Sequence, residues 1–249
     1  MGRGPADPFG EGVAARYDEM TAGMTAPAVL EPVVAVLAEL AGGGPALELG
    51  IGTGRVALPL SRRGISVHGI DLSPAMVRRL REKPGAEAIG VTLGDFAHAR
   101  VDGTFQLVYL VFNTIMNLTA QDEQVACFRN ASAHLRPGGV FVVEVMVPQL
   151  QRLPPGEAVR PFSVTATHLG FDEYDVANQG LISHHFHLVR GRWEAMATPF
   201  RYVWPSELDL MAQMAGMLLR QRWGGWRAEP FTARSTQHVS VWEKVGASP

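Results

Sequence analysis

The chain has 249 residues, 47% apolar and 18% charged, which predicts one large α/β domain with a sizeable core and excludes a disordered chain. Its net charge of −2, without a long run of Lys or Arg, excludes the basic surface that nucleic-acid binding needs. No apolar run approaches the roughly 18 residues of a membrane span, and residues 1–10 contain no apolar signal core. We therefore expect a cytoplasmic protein with no nucleic-acid or membrane partner.

The N-terminal segment combines a Gly- and Pro-rich start with two predicted helices. We expect residues 1–10 to be disordered and a short helix to cover residues 11–20. A second helix is predicted from Pro27 to about Leu40, with Thr25 as its N-cap. The apolar residues expected on its buried side are Val29, Val33, Val36, Leu37 and Leu40.

Strands and helices then alternate as far as residue 147. The predicted strands cover residues 46–49, 65–70, 88–93, 105–112 and 140–147. The helices between them cover residues 54–63, 74–83 and 121–135, and Ser73 is the expected N-cap of the second of these. Such alternation predicts a doubly wound sheet of parallel strands.

The pattern changes after residue 147. Four prolines in residues 148–161 predict a loop, and alternating polar and apolar residues over 162–204 predict antiparallel strands. Ser206 is the expected N-cap of a last helix that ends near Gly216. Strands over residues 218–223 and 237–244 would close the fold.

The first strand leads into a glycine turn with the sequence Glu48-Leu49-Gly50-Ile51-Gly52-Thr53-Gly54. Glycine has no Cβ, so a ligand can lie directly against the backbone of such a turn. Asp71 ends the next predicted strand, where an acid can accept hydrogen bonds from two ribose hydroxyls. Together they predict an adenosine-containing cofactor. Arg55 stands where a dinucleotide fingerprint would place its third glycine, which disfavours nicotinamide or flavin.

The tightly spaced Glu-x-Gly-x-Gly-x-Gly resembles motif I of the class I S-adenosylmethionine-dependent methyltransferases. Three further motifs follow in the order of that family. They are Gly69-Ile70-Asp71-Leu72-Ser73 at the end of strand two, Gly94-Asp95-Phe96 after strand three, and Leu135-Arg136-Pro137-Gly138-Gly139 before strand five. The resemblance covers about residues 10–147 and the C-terminal 40 residues.

The resemblance implies an α/β fold, with a Rossmann-like, seven-stranded, mostly parallel sheet and helices on both faces. An antiparallel β insert after strand five would cover the active site. We therefore expect one methyltransferase domain over residues 1–249. Within it, residues 1–44 would form N-terminal helices and a lid, 45–147 the cofactor-binding core, 148–204 the substrate cap, and 205–249 a helix with two closing strands.

The same resemblance implies S-adenosyl-L-methionine as cofactor and S-adenosyl-L-homocysteine as product. Glu48 would reach the cofactor's amino group, Asp71 would accept from the ribose hydroxyls, and Asp95 would accept from the adenine amine. Tyr17 resembles a tyrosine that caps the methionine carboxylate, although a core aromatic on an amphipathic helix fits it too. The full set expected at the cofactor is Tyr17, Glu48, Gly50, Ile51, Gly52, Asp71, Leu72, Met76, Gly94, Asp95, Phe96, Leu110 and Phe112.

The segment after strand four indicates the type of methyl acceptor. Methyltransferases of nucleic-acid amino groups carry an Asn/Asp-Pro-Pro-aromatic motif there, and residues 112–118 lack it. The layout resembles small-molecule enzymes of natural-product pathways, including amino-sugar N-methyltransferases. It implies in-line methyl transfer to an N or O atom of a small molecule. We expect the enzyme to be a monomer or a homodimer. Asn117 stands where some of these enzymes have a histidine; it cannot act as a base, but it can hydrogen-bond the acceptor.

The insert supplies further candidates for the acceptor site. The expected substrate-binding residues are Asn113, Asn117, Tyr174, Arg201, Tyr202 and Trp204, and the expected catalytic residues are Asn117, His168 and His187. For Asn113 and Asn117 the alternative is a loop-capping role, and for the histidines it is a plain polar strand face.

A metal site is a separate possibility for the same insert. On a strand, His185 and His187 share one face and His184 points to the other. Two ligands at that spacing can begin a zinc site, but the sequence shows no clear third ligand, and Cys127 is the only cysteine. We therefore predict no metal.

Two other functions stay open. The fold and its cofactor pocket can serve a non-methylating reaction, such as that of a cyclase or isomerase, without any change in the cofactor motifs. The second is a nicotinamide-dependent oxidoreductase, which Glu48 and Arg55 disfavour.

Overall fold

The computed structural model describes residues 9–246. The disorder expected for residues 1–10 falls mainly on residues 1–8, which lie outside the described part. The helices are α1 Glu11–Met20, α2 Pro27–Ala41, α3 Ala57–Arg62, α4 Pro74–Arg81, α5 Gln121–His134 and α6 Pro205–Met214. The strands are β1 Ala46–Leu49, β2 Val67–Asp71, β3 Gly90–Leu93, β4 Phe105–Leu110, β5 Leu135–Met146, β6 Val159–Val164, β7 His168–Asp175, β8 Gly180–Val189, β9 Arg192–Arg201, β10 Met217–Trp223 and β11 Gln237–Lys244.

The main sheet has seven strands in the order β10-β11-β5-β4-β1-β2-β3. Strands β1 to β5 are all parallel to one another, whereas β11 pairs antiparallel with both β5 and β10. The predicted Rossmann-like α/β fold is thereby confirmed. Because β1, β2 and β4 are parallel and adjacent, their carboxyl ends meet at one edge of the sheet, where ligands bind in such folds.

The core lies on both faces of this sheet, which explains why its central strands are almost wholly apolar. Alternate residues of β4 point to opposite faces: Val108 and Leu110 join the core on one side, and Leu107 and Tyr109 join the core on the other. On the first side the ring of Phe128 packs edge-to-face on Phe141, with their centroids 5.0 Å apart.

The second sheet has the order β6-β7-β8-β9 and is antiparallel throughout, as the alternation over residues 162–204 predicts. One of its faces contributes Tyr174 and Leu181 to the main core, where both are almost completely buried. Packing against the main sheet therefore holds the insert in place.

Two predicted helix caps are wrong. Thr25 Oγ1 donates to the Ala22 carbonyl 2.8 Å away, and α2 has Ala26 at its N-cap without a side-chain bond. Helix α6 likewise has Trp204 at its N-cap instead of Ser206. Both helices begin with proline, whose fixed φ and missing N–H suit the first helical position without a capping side chain.

Some other predicted details also differ. Val29 of α2 is exposed, and Val34 is buried in its place. Strand β5 begins at Leu135, but the register jumps from Phe105 opposite Leu135 to Leu107 opposite Val140, so residues 136–139 form an irregularity within it. The cap at Ser73 is confirmed, since its hydroxyl oxygen accepts a hydrogen bond from the Met76 N–H. Among residues 9–246, no helix is long and apolar enough to cross a membrane.

Candidate active site

A cavity of about 490 Å³ lies at the carboxyl ends of β1, β2 and β3. This volume is in the range of small-molecule sites. The residues expected from the sequence that line it are Tyr17, Gly50, Gly52, Asp71, Leu72, Met76, Asp95, Phe96 and Asn117. They come from α1, from the turns after the first three strands of the sheet and from the loop after β4.

The glycine turn after β1 approaches its neighbours too closely for a side chain. Gly50 has φ +74°, and a Cβ there would lie 2.7 Å from Cγ2 of Thr114. Only glycine tolerates both this backbone conformation and this contact without strain. The turn therefore presents bare backbone to the cavity, and Thr114 lines the same cavity beside it.

The Asp71 carboxylate joins this turn to the end of β2. Its Oδ2 accepts from the Gly52 N–H at 2.6 Å, and its Oδ1 accepts from the Ser73 N–H at 2.8 Å. These two bonds fix the orientation of the carboxylate, and Asp71 is also part of the cavity wall. Asp71 thus links the glycine turn, the end of β2 and the cavity.

The turn after β3 closes the opposite end of the cavity. Asp95 Oδ1 accepts from the Ala97 N–H at 2.8 Å, and Phe96 packs into the cavity wall. Gly94, also expected at the cofactor, links this turn to the end of β2. Its N–H donates to the Asp71 carbonyl at 2.8 Å.

A smaller cavity of about 30 Å³ adjoins the glycine turn, and its lining includes Glu48, Ile51, Arg55 and Phe112. The Tyr109 hydroxyl donates to Glu48 Oε2 at 2.9 Å. Burial raises the pKa of Glu48 to about 8 despite this hydrogen bond. The Arg55 guanidinium lies 5.4 Å from the centre of the Phe112 ring, a cation–π contact. Acidic and basic groups thus meet at this end of the site.

The two asparagines after β4 differ in their contacts. Asn113 has φ 59°, and its Oδ1 accepts from the Met146 N–H at 2.7 Å. Asn117 ends a short 3₁₀ helix and lines the main cavity. Its Oδ1 is buried and has no hydrogen-bond partner within residues 9–246. Asn113 therefore holds the loop, whereas Asn117 offers an unpaired acceptor.

Several expected residues lie elsewhere. Leu110 is fully buried in the core, and Trp204 begins α6. Arg201 is buried and donates to Glu207 at 2.7 Å, to Gln179 at 3.0 Å and to Gln124. These bonds tie the end of β9 to α5 and α6. In the described part of the chain, the linings of both cavities do not include Tyr174, Arg201, Tyr202 and Trp204.

The histidines of the insert form a cluster away from both cavities. His168 Nε2 lies 3.1 Å from His185 Nδ1, and the His168 and His187 rings stack with their centroids 4.2 Å apart. The expectation that His185 and His187 share one face, with His184 on the other, is confirmed, because His184 pairs instead with Glu173 at 3.0 Å. The sequence showed no clear third ligand for His185 and His187, and the structure brings His168 of β7 beside them.

Sequence reasoning missed part of the lining. The additional residues of the main cavity are Phe9, Ser73, Thr114, Leu118, Thr119, Glu123 and Pro199. Thr114 and Leu118 belong to the loop already singled out after strand four, so the signal was present. Pro199 reaches the cavity only through the packing of β9 beside the 3₁₀ helix Thr114–Asn117, which no local pattern indicates.

Residues 46–139 match the model of a methyltransferase domain family. The chain is 30% identical over 207 residues to a cypemycin N-terminal methyltransferase from a Streptomyces species, covering 80% of this chain and 82% of that protein. Its fold matches the CcbJ methyltransferase from Streptomyces caelestis with a TM-score of 0.86 and 35% identity, over 97% of this chain and 100% of the other.

A more distant structural match is S-adenosylmethionine-bound CalS10, an amino pentose methyltransferase from Micromonospora echinaspora. It has a TM-score of 0.69 and 20% identity and covers 90% of this chain and 95% of the other. The site fits such a cofactor, because a Cβ at Gly50 would fill the cradle and Asp71 ends β2 beside it. This chain therefore belongs to the class I S-adenosylmethionine-dependent methyltransferases of natural-product type.

Proposed function

We propose that this methyltransferase transfers the methyl group to a nitrogen atom of a small natural-product amine. The observation that carries the proposal is the buried, unpaired Oδ1 of Asn117 in the wall of the main cavity. The name of the cypemycin relative, an N-terminal methyltransferase, supports an amine acceptor.

The cofactor would lie across both cavities, and S-adenosylmethionine supplies a methyl group already activated on its sulfonium. Asp71 would accept from the ribose hydroxyls, while Asp95 and Phe96 would hold the adenine. Glu48 would hold the ammonium of the methionine end. Arg55, which lines the smaller cavity, would face the methionine carboxylate together with Tyr17. This assignment matches the ammonium and the carboxylate of the ligand with side chains of opposite charge.

The chemistry of Asn117 favours an amine over a hydroxyl. A buried carbonyl oxygen without a partner costs about 1–3 kcal/mol, which a donor on the bound acceptor would offset. A neutral amine can donate one N–H to this oxygen and keep its lone pair free for the methyl group. An alkylamine is mostly protonated at neutral pH, so its ammonium form must first lose a proton, which water can accept before the transfer step. A hydroxyl must lose its proton during the transfer and needs a base in the site, and the Asn117 amide cannot take a proton at neutral pH.

The lid and cap roles of the outer segments belong to the same proposal. We assign the lid to residues 1–44 and the substrate cap to 148–204, around the core 45–147. Phe9 and Tyr17 from the first segment and Pro199 from the second line the main cavity. These lining residues support a role for both segments in excluding water and in holding the acceptor for in-line transfer.

An acceptor screen tests the proposed function. The enzyme is incubated with S-adenosylmethionine and with amino sugars or peptides that have a free N-terminus. Each amine is paired with an analogue that has a hydroxyl in its place. Mass spectrometry should detect the gain of one methyl group on amines only, with equal formation of S-adenosylhomocysteine. Methylation of the hydroxyl analogues in place of the amines would contradict an N-methyltransferase.

Two substitutions at Asn117 test its role as the hydrogen-bond acceptor. Asn117→Leu keeps the approximate volume and removes the oxygen, so kcat/KM for the amine should fall by about tenfold to hundredfold, which corresponds to about 1–3 kcal/mol. Asn117→Asp keeps an acceptor oxygen and should retain more activity. Steady-state kinetics measure both, and calorimetry with S-adenosylhomocysteine should give unchanged affinities. An Asn117→Leu variant with wild-type kcat/KM would remove the basis of the proposal.

The buried Glu48 predicts release of a proton on cofactor binding. Its carboxyl group is mostly protonated at pH 7, because burial raises its pKa to about 8. An ammonium held beside it favours the carboxylate, so binding should release about one proton at pH 7. Affinity should therefore rise with pH until it levels off near pH 8. Calorimetry with S-adenosylhomocysteine in buffers of different ionisation enthalpy counts these protons.

The matched control is Glu48→Gln, which keeps the shape of the side chain and removes its titration. Titration of the ligand's own amino group is common to both proteins and cancels in the comparison. Wild type should release about one proton more than the variant at pH 7. Equal proton counts would show that Glu48 does not contact the amino group.

A further inference from the structure

We propose that His168, His185 and His187 form a binding site for a divalent transition metal, and that the metal is Zn²⁺. The site lies on the antiparallel sheet, away from the cofactor cavities. The proposal does not depend on the methyl acceptor.

The register of the sheet brings the three side chains together. His185 and His187 are two residues apart on β8, so they project from the same face. His168 is the direct cross-strand partner of His187 on β7 and projects from that face too. One nitrogen from each ring can be chosen so that all three lie within 4.8 Å of one another.

These distances are close to those of a bound metal. Zn–N bonds of about 2.0–2.1 Å in a tetrahedral site place neighbouring ligand nitrogens about 3.4 Å apart. His168 Nε2 and His185 Nδ1 are already 3.1 Å apart. The His168 and His187 rings are stacked, so they would have to rotate about their own side-chain bonds to aim the third nitrogen at the same point. Three imidazoles with an open fourth position are an established zinc donor set.

Two further observations favour coordination of a metal by the ring nitrogens. Ser183 Oγ lies 3.3 Å from His185 Nε2, so a proton held on Nε2 leaves the Nδ1 lone pair for the metal. His187 Nε2 is buried and has no hydrogen-bond partner in the described chain. An imidazole nitrogen in that state lacks an interaction that a metal ion would supply.

A carboxylate is available for the fourth position. Glu194 on β9 is the cross-strand partner of His187 and shares its face. Its exposed side chain pairs with Arg16 of α1 at 3.4 Å, a surface ion pair of small energy. Glu194 is not within ligand distance of all three histidines, so it would have to leave Arg16 and move toward them to bind the metal, where it would neutralise part of the added charge.

The site is separate from the cofactor cavities along β8. Pro199, which lines the main cavity, pairs with Ile182, and His185 and His187 lie three and five residues further along the strand. At about 3.3 Å per residue these are separations of about 10 Å and about 16 Å. Metal binding can therefore be measured without reference to methyl transfer.

The test uses the full chain without an affinity tag, freed of metal by a chelator. Zinc is titrated against a chromophoric chelator, and the bound metal is counted by elemental analysis after gel filtration. Wild type should bind one Zn²⁺ per chain. His168→Ala and His187→Ala should each weaken binding by at least about tenfold, because each removes a direct ligand.

The matched control is His184→Ala, one residue away on the same strand but on the opposite face, which should bind zinc like wild type. Unchanged affinity for S-adenosylhomocysteine establishes that each variant is folded. X-ray absorption of the zinc-loaded wild type supplies a test without variants and should show three imidazole ligands. Failure of wild type to bind zinc stoichiometrically, equal loss in His184→Ala, or a spectrum without three imidazoles would overturn the proposal.

Discussion

The site depends on the close approach of the turn after β1 to the chain around it. Gly50 leaves no room for a Cβ beside Thr114, and the Gly52 N–H is bonded to the Asp71 carboxylate at 2.6 Å. These two contacts lock the turn to the loop after β4 and to the end of β2. Because those segments carry Asp71, Leu72, Thr114 and Asn117 of the cavity lining, the position of the turn is linked to that of the neighbouring cavity wall.

Beneath the turn, a buried acid adds a second constraint. Glu48 lies on β1 in contact with the Tyr109 hydroxyl, and burial keeps its carboxyl group protonated at neutral pH. A neutral acid is much less costly to bury than a carboxylate. The protonated Glu48 thus lies at the end of the site where the charged amino-acid end of the cofactor is proposed to bind. Arg55 lines the same small cavity.

The sequence predicted the parallel core and the glycine turn because both depend on local patterns: apolar strands, alternating helices and glycines at fixed spacing. Features set by packing were less accessible. Arg201 looked like a substrate ligand, but its buried guanidinium bonds to Glu207 and Gln179, which come from other elements. His168 joined the other histidines only once the register of β7 against β8 was known. Likewise, the sequence could not show that the Oδ1 of Asn117 lacks a hydrogen-bond partner, because this depends on the atoms that surround it in the fold.

Affinity for S-adenosylhomocysteine in Gly50→Ala tests most directly whether the turn forms the cofactor site. The control is Gly64→Ala, which has φ +83° but nothing within 4 Å of the added Cβ, so it shares the backbone strain without the contact. Calorimetry should show a loss of about 100-fold or more in Gly50→Ala and wild-type affinity in Gly64→Ala. Wild-type affinity in a folded Gly50→Ala would contradict the account.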